Sequence, residues 1–108
     1  MTFQLGAALL DACVLAILSG QDEYGYALTQ RVKEVVILSE STLYPVLRRL
    51  QKEELLTAYD SQFNGRNRRY YAISEVGRER LSEYVKEWGT YKKNLDMILL
   101  GGMADEQG

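Results

Sequence analysis

The dipeptide Asn64-Gly65 constrains the fold of this chain more than any other feature of its 108 residues. It separates two runs rich in tyrosine, threonine and aliphatic side chains, Leu55 to Ser61 and Arg68 to Ile73. Asn-Gly supplies the two positive φ angles of a type I′ turn, so the two runs are predicted to pair as a β-hairpin. The segments on either side carry helical patterns. The sequence therefore predicts a mainly α-helical chain with one small β-element.

The first helix is predicted from an apolar run, Leu5 to Leu18, which only Asp11 interrupts. The run is shorter than the about 20 apolar residues that a spanning helix needs. A secretory signal has basic residues before its apolar stretch, and no Lys or Arg precedes this run. It is therefore predicted to be a helix buried on more than one side, in a cytoplasmic protein that does not engage a membrane. Cys13 within it is expected to be inert packing.

Two further helices are predicted before the hairpin. The first spans Tyr24 to Glu34, with apolar residues at intervals of four. The short run Val35 to Leu38 is either a small strand or a buried link. Ser39 is the predicted N-cap of the next helix, with Leu38 and Leu43 as its hydrophobic staple.

This third helix is amphipathic. Its buried face is marked by Leu43, Val46, Leu47 and Leu50. At about 100° per residue, the opposite face carries Ser41, Pro45, Arg48 and Lys52, with Tyr44 and Arg49 beside it. Pro45 removes a backbone donor and is expected to kink or tighten the helix.

The last helix is predicted to begin after Ser74 as N-cap, with Glu75 in its first turn. Two rows of apolar residues spaced by seven form a heptad seam typical of a helix that packs on another helix: Leu81, Trp88 and Leu95, and Tyr84, Tyr91 and Ile98. Gly89 weakens this helix by about 1 kcal/mol relative to alanine. The seam predicts dimerisation through these six residues.

Three helices followed by a two-stranded wing are the plan of a winged helix-turn-helix, whose third helix enters the DNA major groove. Residues 41–73 carry six basic and three acidic side chains, a net charge of +3, whereas the whole chain carries −2. The positive charge thus coincides with the predicted recognition helix and wing. We predict a DNA-binding domain over residues 1–74, a dimerisation helix over 75–100 and a flexible tail over 101–108.

Three segments in this order resemble the PadR family of transcriptional regulators. They are Tyr24-Gly25-Tyr26, the helix containing Ser41-Thr42-Leu43-Tyr44-Pro45, and Arg68-Arg69-Tyr70-Tyr71. The single helix after the wing is similar to a short subgroup that includes multidrug-responsive regulators. The resemblance implies a repressor that binds double-stranded operator DNA as a homodimer. Glu54 departs from the family pattern, because a glycine usually closes the recognition helix there.

The predicted DNA contacts lie on the third helix and the wing. Arg48, Lys52, Arg66 and Arg68 are expected to meet phosphates or bases rather than to form a merely solvated surface. Tyr44 either contacts a phosphate or packs on the wing, and Arg69 alternatively pairs with Asp60. The full predicted set is Ser41, Thr42, Tyr44, Arg48, Arg49, Lys52, Arg66 and Arg68.

Trp88 has two interpretations. A large indole at a heptad position most often packs in a dimer. The family resemblance instead implies a pore between subunits that takes a flat aromatic or hydrophobic effector. The residues expected to line such a site are Leu10, Val14, Val85 and Trp88.

An enzyme is not predicted. The chain has no histidine and one cysteine, which excludes most zinc sites, His-based triads and an intrachain disulfide. We therefore predict no catalytic residue, no metal and no cofactor. The alternative to a DNA-binding regulator is a winged-helix module that binds another protein and never contacts DNA.

Overall fold

The computed structural model of the chain describes residues 7–36 and 38–101, and it has the predicted order of three helices, a hairpin and a long helix. The predicted residues Leu5 and Ile37, and the tail beyond Gly101, lie outside the described residues. The elements are α1 Ala7–Gly20, β1 Glu23–Tyr24, α2 Gly25–Lys33, α3 Glu40–Lys52, β2 Leu56–Phe63, β3 Arg66–Ile73 and α4 Glu75–Leu99.

The hairpin turns at the predicted dipeptide. Asn64 and Gly65 have φ angles of 52° and 78°, and Phe63 pairs with Arg66 directly beside them. Both positive angles are those of a type I′ turn, which confirms the hairpin. The two-residue strand β1 was not predicted; it pairs with β3 and gives the sheet the order β1-β3-β2.

The core lies between α1, α2, α3 and the sheet. The residues buried there are Val14, Leu15, Leu18, Leu28, Val32, Leu43, Leu47, Leu50, Leu55, Leu56 and Tyr71. All three predicted leucines of α3 are among them, which confirms its buried face. Val36 and Leu38 pack at the edge of the core and Val35 is exposed, so the described part of 35–38 is a link and not a strand. Helix α3 continues through Pro45 without a break.

The two predicted N-caps differ in what their side chains do. Ser74 Oγ accepts a hydrogen bond from the backbone N–H of Gly77 (3.0 Å), as a capping serine should. Ser39 occupies the N-cap position of α3 but makes no such bond. Its Oγ instead lies 2.8 Å from Ser41 Oγ and 3.1 Å from Thr42 Oγ1. The Ser39 hydroxyl at the start of α3 therefore bonds to two hydroxyls of the first turn.

Helix α3 ends in a Schellman motif centred on Glu54. The N–H of Leu55 bonds to the carbonyl of Leu50 (2.9 Å), and the N–H of Glu54 bonds to that of Gln51 (3.0 Å). These are the two hydrogen bonds of the motif, and the buried side chains of Leu50 and Leu55 supply its usual apolar pair. Glu54 has a φ of 64°, a left-handed conformation that favours glycine. Glycine, which the family pattern has at this position, adopts such a conformation without strain, whereas Glu54 does not.

We expect Glu54→Gly to raise the free energy of unfolding by about 1 kcal/mol. A non-glycine residue in the left-handed conformation costs about 1–2 kcal/mol, which glycine would relieve. Glycine also gives the unfolded chain more conformational freedom, and this offsets part of the stabilisation. Urea unfolding at one protein concentration measures the difference. Glu83→Gly is the matched control, because Glu83 lies inside α4 and glycine should lower stability there by about 1 kcal/mol. Equal losses at both positions would contradict the strain at Glu54.

Candidate nucleic-acid interface

Helix α3 presents one polar face to solvent, which we call the outer face of α3. Because Leu43, Leu47 and Leu50 are directed into the core, the residues about half a turn away are exposed. Arg48 and Lys52 lie there one turn apart. Within the described residues, neither cation has an ion-pair partner. The outer face also includes the predicted Ser41, Thr42 and Tyr44, all exposed.

Tyr44 packs on the start of α2. A β-carbon built on Gly25 would lie 3.4 Å from Tyr44 Cε1 and 3.5 Å from its hydroxyl oxygen. The ring thus covers the backbone of Gly25, while about a third of the side chain is exposed. This contact fixes α2 against α3 within the helix-turn-helix. Because the residue stays partly exposed, its predicted phosphate contact remains a prediction.

The wing holds its arginines in three different ways. Arg66 is exposed beside the turn. The guanidinium carbon of Arg68 lies 4.3 Å from the ring centroids of both Tyr24 and Phe63, so the group is stacked between two aromatic faces. Nε of Arg69 lies 3.9 Å from Oδ1 of Asp60, its cross-strand partner, which is the alternative that the sequence analysis gave for Arg69.

An aromatic row on the outer side of the sheet was missed by the sequence analysis. The Tyr24 ring lies 5.8 Å from Tyr70, and Tyr70 is stacked at 5.6 Å on Tyr59. The Tyr59 hydroxyl donates to Asp22 (2.6 Å), and this bond raises the pKa of Tyr59. The available signal was one tyrosine in each run of the predicted hairpin, Tyr59 and Tyr70, at positions that pair across the two strands. The contact of Tyr70 with Tyr24 depends on β1, a two-residue strand that is too short to show a strand pattern in the sequence.

Arg49 is oriented differently from its neighbour Arg48. Its Nη2 donates to the carboxylate of Asp11 in α1, and its Nη1 donates to Glu53 Oε2 (3.3 Å). The bond to Asp11 raises the pKa of Arg49, so the guanidinium remains charged. Among the predicted DNA contacts on α3, Arg49 is thus the one whose charge is already bound within the chain. Arg49 is exposed as well, so what distinguishes Arg48 and Lys52 is that neither has an ion-pair partner among the described residues.

The heptad residues of α4 divide into two groups. Leu81 and Tyr84 pack against the chain's own core, which places the first part of the predicted seam inside the subunit. Trp88, Tyr91 and Ile98 are 43%, 59% and 77% exposed, and the rings of Trp88 and Tyr91 lie 6.0 Å apart. Leu95 is half-buried. The second half of α4 therefore carries an exposed apolar surface.

The four residues predicted to line an effector site are not equally accessible. Val85 and Trp88 are exposed on α4, at 60% and 43%. Leu10 is half-buried against the core, and Val14 is fully buried within it. Val14 thus supports the core of its own subunit, and only the other three have surface to offer a ligand. Cys13 on the same helix is half-buried, and burial raises the pKa of its thiol.

No helix within residues 7–36 and 38–101 is long and apolar enough to cross a membrane.

Comparison with known proteins identifies similar sequences and folds. A model of the family described as "Transcriptional regulator PadR-like family" matches residues 14–83, from α1 into α4. The chain is 39% identical to a protein of known structure from Streptococcus mutans, with a TM-score of 0.88 over 94% of this chain and 95% of that one. It is 32% identical to a PadR family transcription regulator from Clostridium difficile, with a TM-score of 0.78 over 83% and 97% of the two chains.

A more distant structure shares the fold. PadR of Bacillus subtilis, solved in complex with operator DNA, is 21% identical, with a TM-score of 0.65 over 71% of this chain and 46% of that one.

Proposed function

Because the chain belongs to the PadR-like family of transcriptional regulators, we propose that it is a repressor that binds a pseudo-palindromic operator as a homodimer. It is a regulator and not an enzyme, as its family indicates. The observation that carries the proposal is that two exposed cations on the outer face of α3, Arg48 and Lys52, have no ion-pair partner in the described part of the chain, although the total charge of the chain is negative. A regulator of this kind acts where the chromosome is, hence in the cytoplasm.

The DNA contacts divide between α3 and the wing. Arg48 and Lys52 would meet the major groove and its flanking phosphates, while Arg66 and Arg68 would meet the backbone beside the wing. Stacking between two rings leaves the edge of the Arg68 guanidinium, where its N–H groups lie, free to bind a phosphate. The hydroxyls of Ser41, Thr42 and Tyr44 flank these cations. PadR of Bacillus subtilis, which shares the fold, was solved in complex with operator DNA, which supports DNA as the partner.

The exposed apolar surface of α4 supports the homodimer. A monomer seldom leaves a contiguous apolar patch of this kind in water. A second copy of the same helix would cover Trp88, Tyr91, Leu95 and Ile98 symmetrically. Such twofold symmetry would present two recognition helices to two inverted half-sites, which together form a pseudo-palindromic site.

A flat aromatic effector is the proposed inducer. Trp88 and Val85 would form its contact surface where two α4 helices meet, together with Leu10 at the margin. The effector can release DNA only if it binds the DNA-free arrangement of the dimer more tightly than the DNA-bound one. Its effect then depends on Trp88, since that ring supplies the aromatic face.

Selection of bound DNA from a random pool tests the proposal. We expect an enriched consensus of two inverted half-sites, about one helical turn apart centre to centre. The selection is repeated with planar aromatic dyes present, where enrichment should fall, and with Trp88→Ala, where the dyes should lose that effect. Enrichment of a single, non-repeated half-site would contradict the dimer. Failure to enrich any sequence would favour the protein-interaction module instead.

A further inference from the structure

Asp11 is a buried charge that the proposed DNA contacts do not use. It lies in the apolar helix α1, and its side chain is 7% exposed. Burying a carboxylate away from water is costly unless it is paired and hydrogen-bonded. Its partner is Arg49, 38 residues later in α3. The one charge of α1 in the described structure is thus bound to the recognition helix.

Arg49 connects α1 with the C-terminal end of its own helix α3 through one rigid group. Its planar guanidinium donates from Nη2 to Asp11 and from Nη1 to Glu53, the C-cap residue of α3. Each of these two charge-assisted hydrogen bonds has a preferred direction as well as a preferred distance. The buried leucines of α3 determine which face of the helix is directed into the core, but apolar attraction is not directional, and the ion pair adds a directional contact to that packing. The ion pair therefore restrains the rotation of α3 about its own axis.

The orientation of α3 matters because α1 also packs against α4, the helix of the proposed dimer contacts. Two recognition helices can enter successive grooves only if each is held at a fixed angle to the dimer axis. Asp11 lies on the element between them. A small rotation of α3 would leave charges near phosphates and misplace the side chains that face base edges.

From this geometry we propose that Asp11 is a positioning residue, which through Arg49 sets the orientation of α3 and so the preference for operator over other DNA. The proposal rests on the proposed function. It assigns Arg49 to positioning rather than to phosphate contact. A misoriented α3 loses its contacts with base edges but keeps most of its contacts with phosphates. Asp11 is therefore expected to control the specificity ratio, which is the affinity for the operator divided by the affinity for other DNA.

The test compares Asp11→Asn and Arg49→Lys with the parent. Asparagine keeps the shape but removes the charge, and lysine keeps the charge but lacks the fork. Dissociation constants are measured for the selected operator and for a scrambled duplex of equal length and composition. We expect both variants to bind the operator about tenfold more weakly, comparable to one mismatched base pair, and the scrambled duplex within about twofold of the parent.

Glu83→Gln is the matched control, because it removes a carboxylate that lies 3.7 Å from Arg80 on the exposed surface of α4. It should leave the specificity ratio unchanged, and a general loss of stability would not alter that ratio among folded molecules. If Arg49 contacts phosphate instead, Asp11→Asn would free it and strengthen binding to both duplexes. That result, or an unchanged ratio in both variants, would overturn the proposal.

Hydrogen exchange of the α3 amides separates this proposal from the proposed function, because it needs no DNA. We expect faster exchange over residues 43–50 in Asp11→Asn and in Arg49→Lys, but not in Glu83→Gln. If the α3 amides exchange faster in the two variants but the parent chain selects no DNA sequence, the proposed operator binding is refuted and the anchoring of α3 by Asp11 still stands. Unchanged exchange in both variants would refute the anchoring itself.

Discussion

Replacing Gly77 with alanine is expected to lower the free energy of unfolding by about 2–3 kcal/mol. Gly77 lies in the first turn of α4, where the helix crosses the start of β2 and the end of β3. A β-carbon there would lie 2.2 Å from the carbonyl oxygen of Leu55 and 2.8 Å from Cγ1 of Ile73. The oxygen belongs to the backbone and already accepts a hydrogen bond from Ser74 N–H (3.1 Å). It cannot move without disturbing the cap of α4, which places the cost in the upper part of the range for overpacking.

Gly89→Ala provides the opposite expectation on the same helix. No atom of the described residues lies within 4 Å of a β-carbon built on Gly89, so the better helix propensity of alanine should raise stability by about 1 kcal/mol. Urea unfolding of both variants at one protein concentration makes the comparison, since a dimer's stability depends on concentration. A Gly77→Ala protein as stable as the parent would show that α4 can move away from β2. Both glycines are helical, so only the close approach at Gly77 distinguishes them.

Signals carried by neighbouring residues were sufficient for most of the fold. The Asn64-Gly65 turn, the cap at Ser74 and the buried face of α3 each depend on residues within a few positions of one another. Their patterns survive in the structure because local preference and tertiary packing agree there. The winged arrangement then follows from the order of the elements.

What sequence analysis missed depends on contacts between distant residues. Strand β1 has two residues and exists because Tyr24 pairs with Tyr70. The pairing of Arg49 with Asp11 joins α3 to α1, and no periodicity within either helix indicates it. The heptad spacing of α4 was real, but Leu81 and Tyr84 use it to pack on their own subunit. Spacing alone does not identify which surface a helix covers.

The same distinction separates the two adjacent arginines of α3. Helical geometry turns Arg48 and Arg49 about 100° apart, so one lies on the outer face and the other reaches α1. The sequence supplies six basic side chains between residues 41 and 73. The structure divides them into cations bound to carboxylates, Arg49 and Arg69, and those without such a partner among the described residues. Only the second group can exchange its solvent counterions for phosphates without first breaking an ion pair.

The double variant Arg48→Ala, Lys52→Ala is expected to bind the selected operator about 100-fold more weakly at physiological salt. Each cation that contacts a phosphate contributes about 0.9 to the slope of log K against log salt concentration, because it releases a condensed counterion. The variant removes two cations from each subunit, hence four from the dimer, so the slope should become shallower by about 4. Both side chains are exposed, so we expect the variant to fold as the parent does, and thermal unfolding checks that the two are equally stable.

The control for this variant must remove the same charge from another surface. Lys86 and Lys93 are exposed on α4, at positions that point away from the heptad seam. The double variant Lys86→Ala, Lys93→Ala lowers the net charge by the same amount. It should leave the salt slope unchanged, because both lysines belong to α4 and not to α3 or the wing. If both double variants lose affinity to the same extent, the effect reports total charge and not contact at α3. If the Arg48 and Lys52 variant keeps the parent slope, α3 does not neutralise phosphates, and the positive surface must serve another partner.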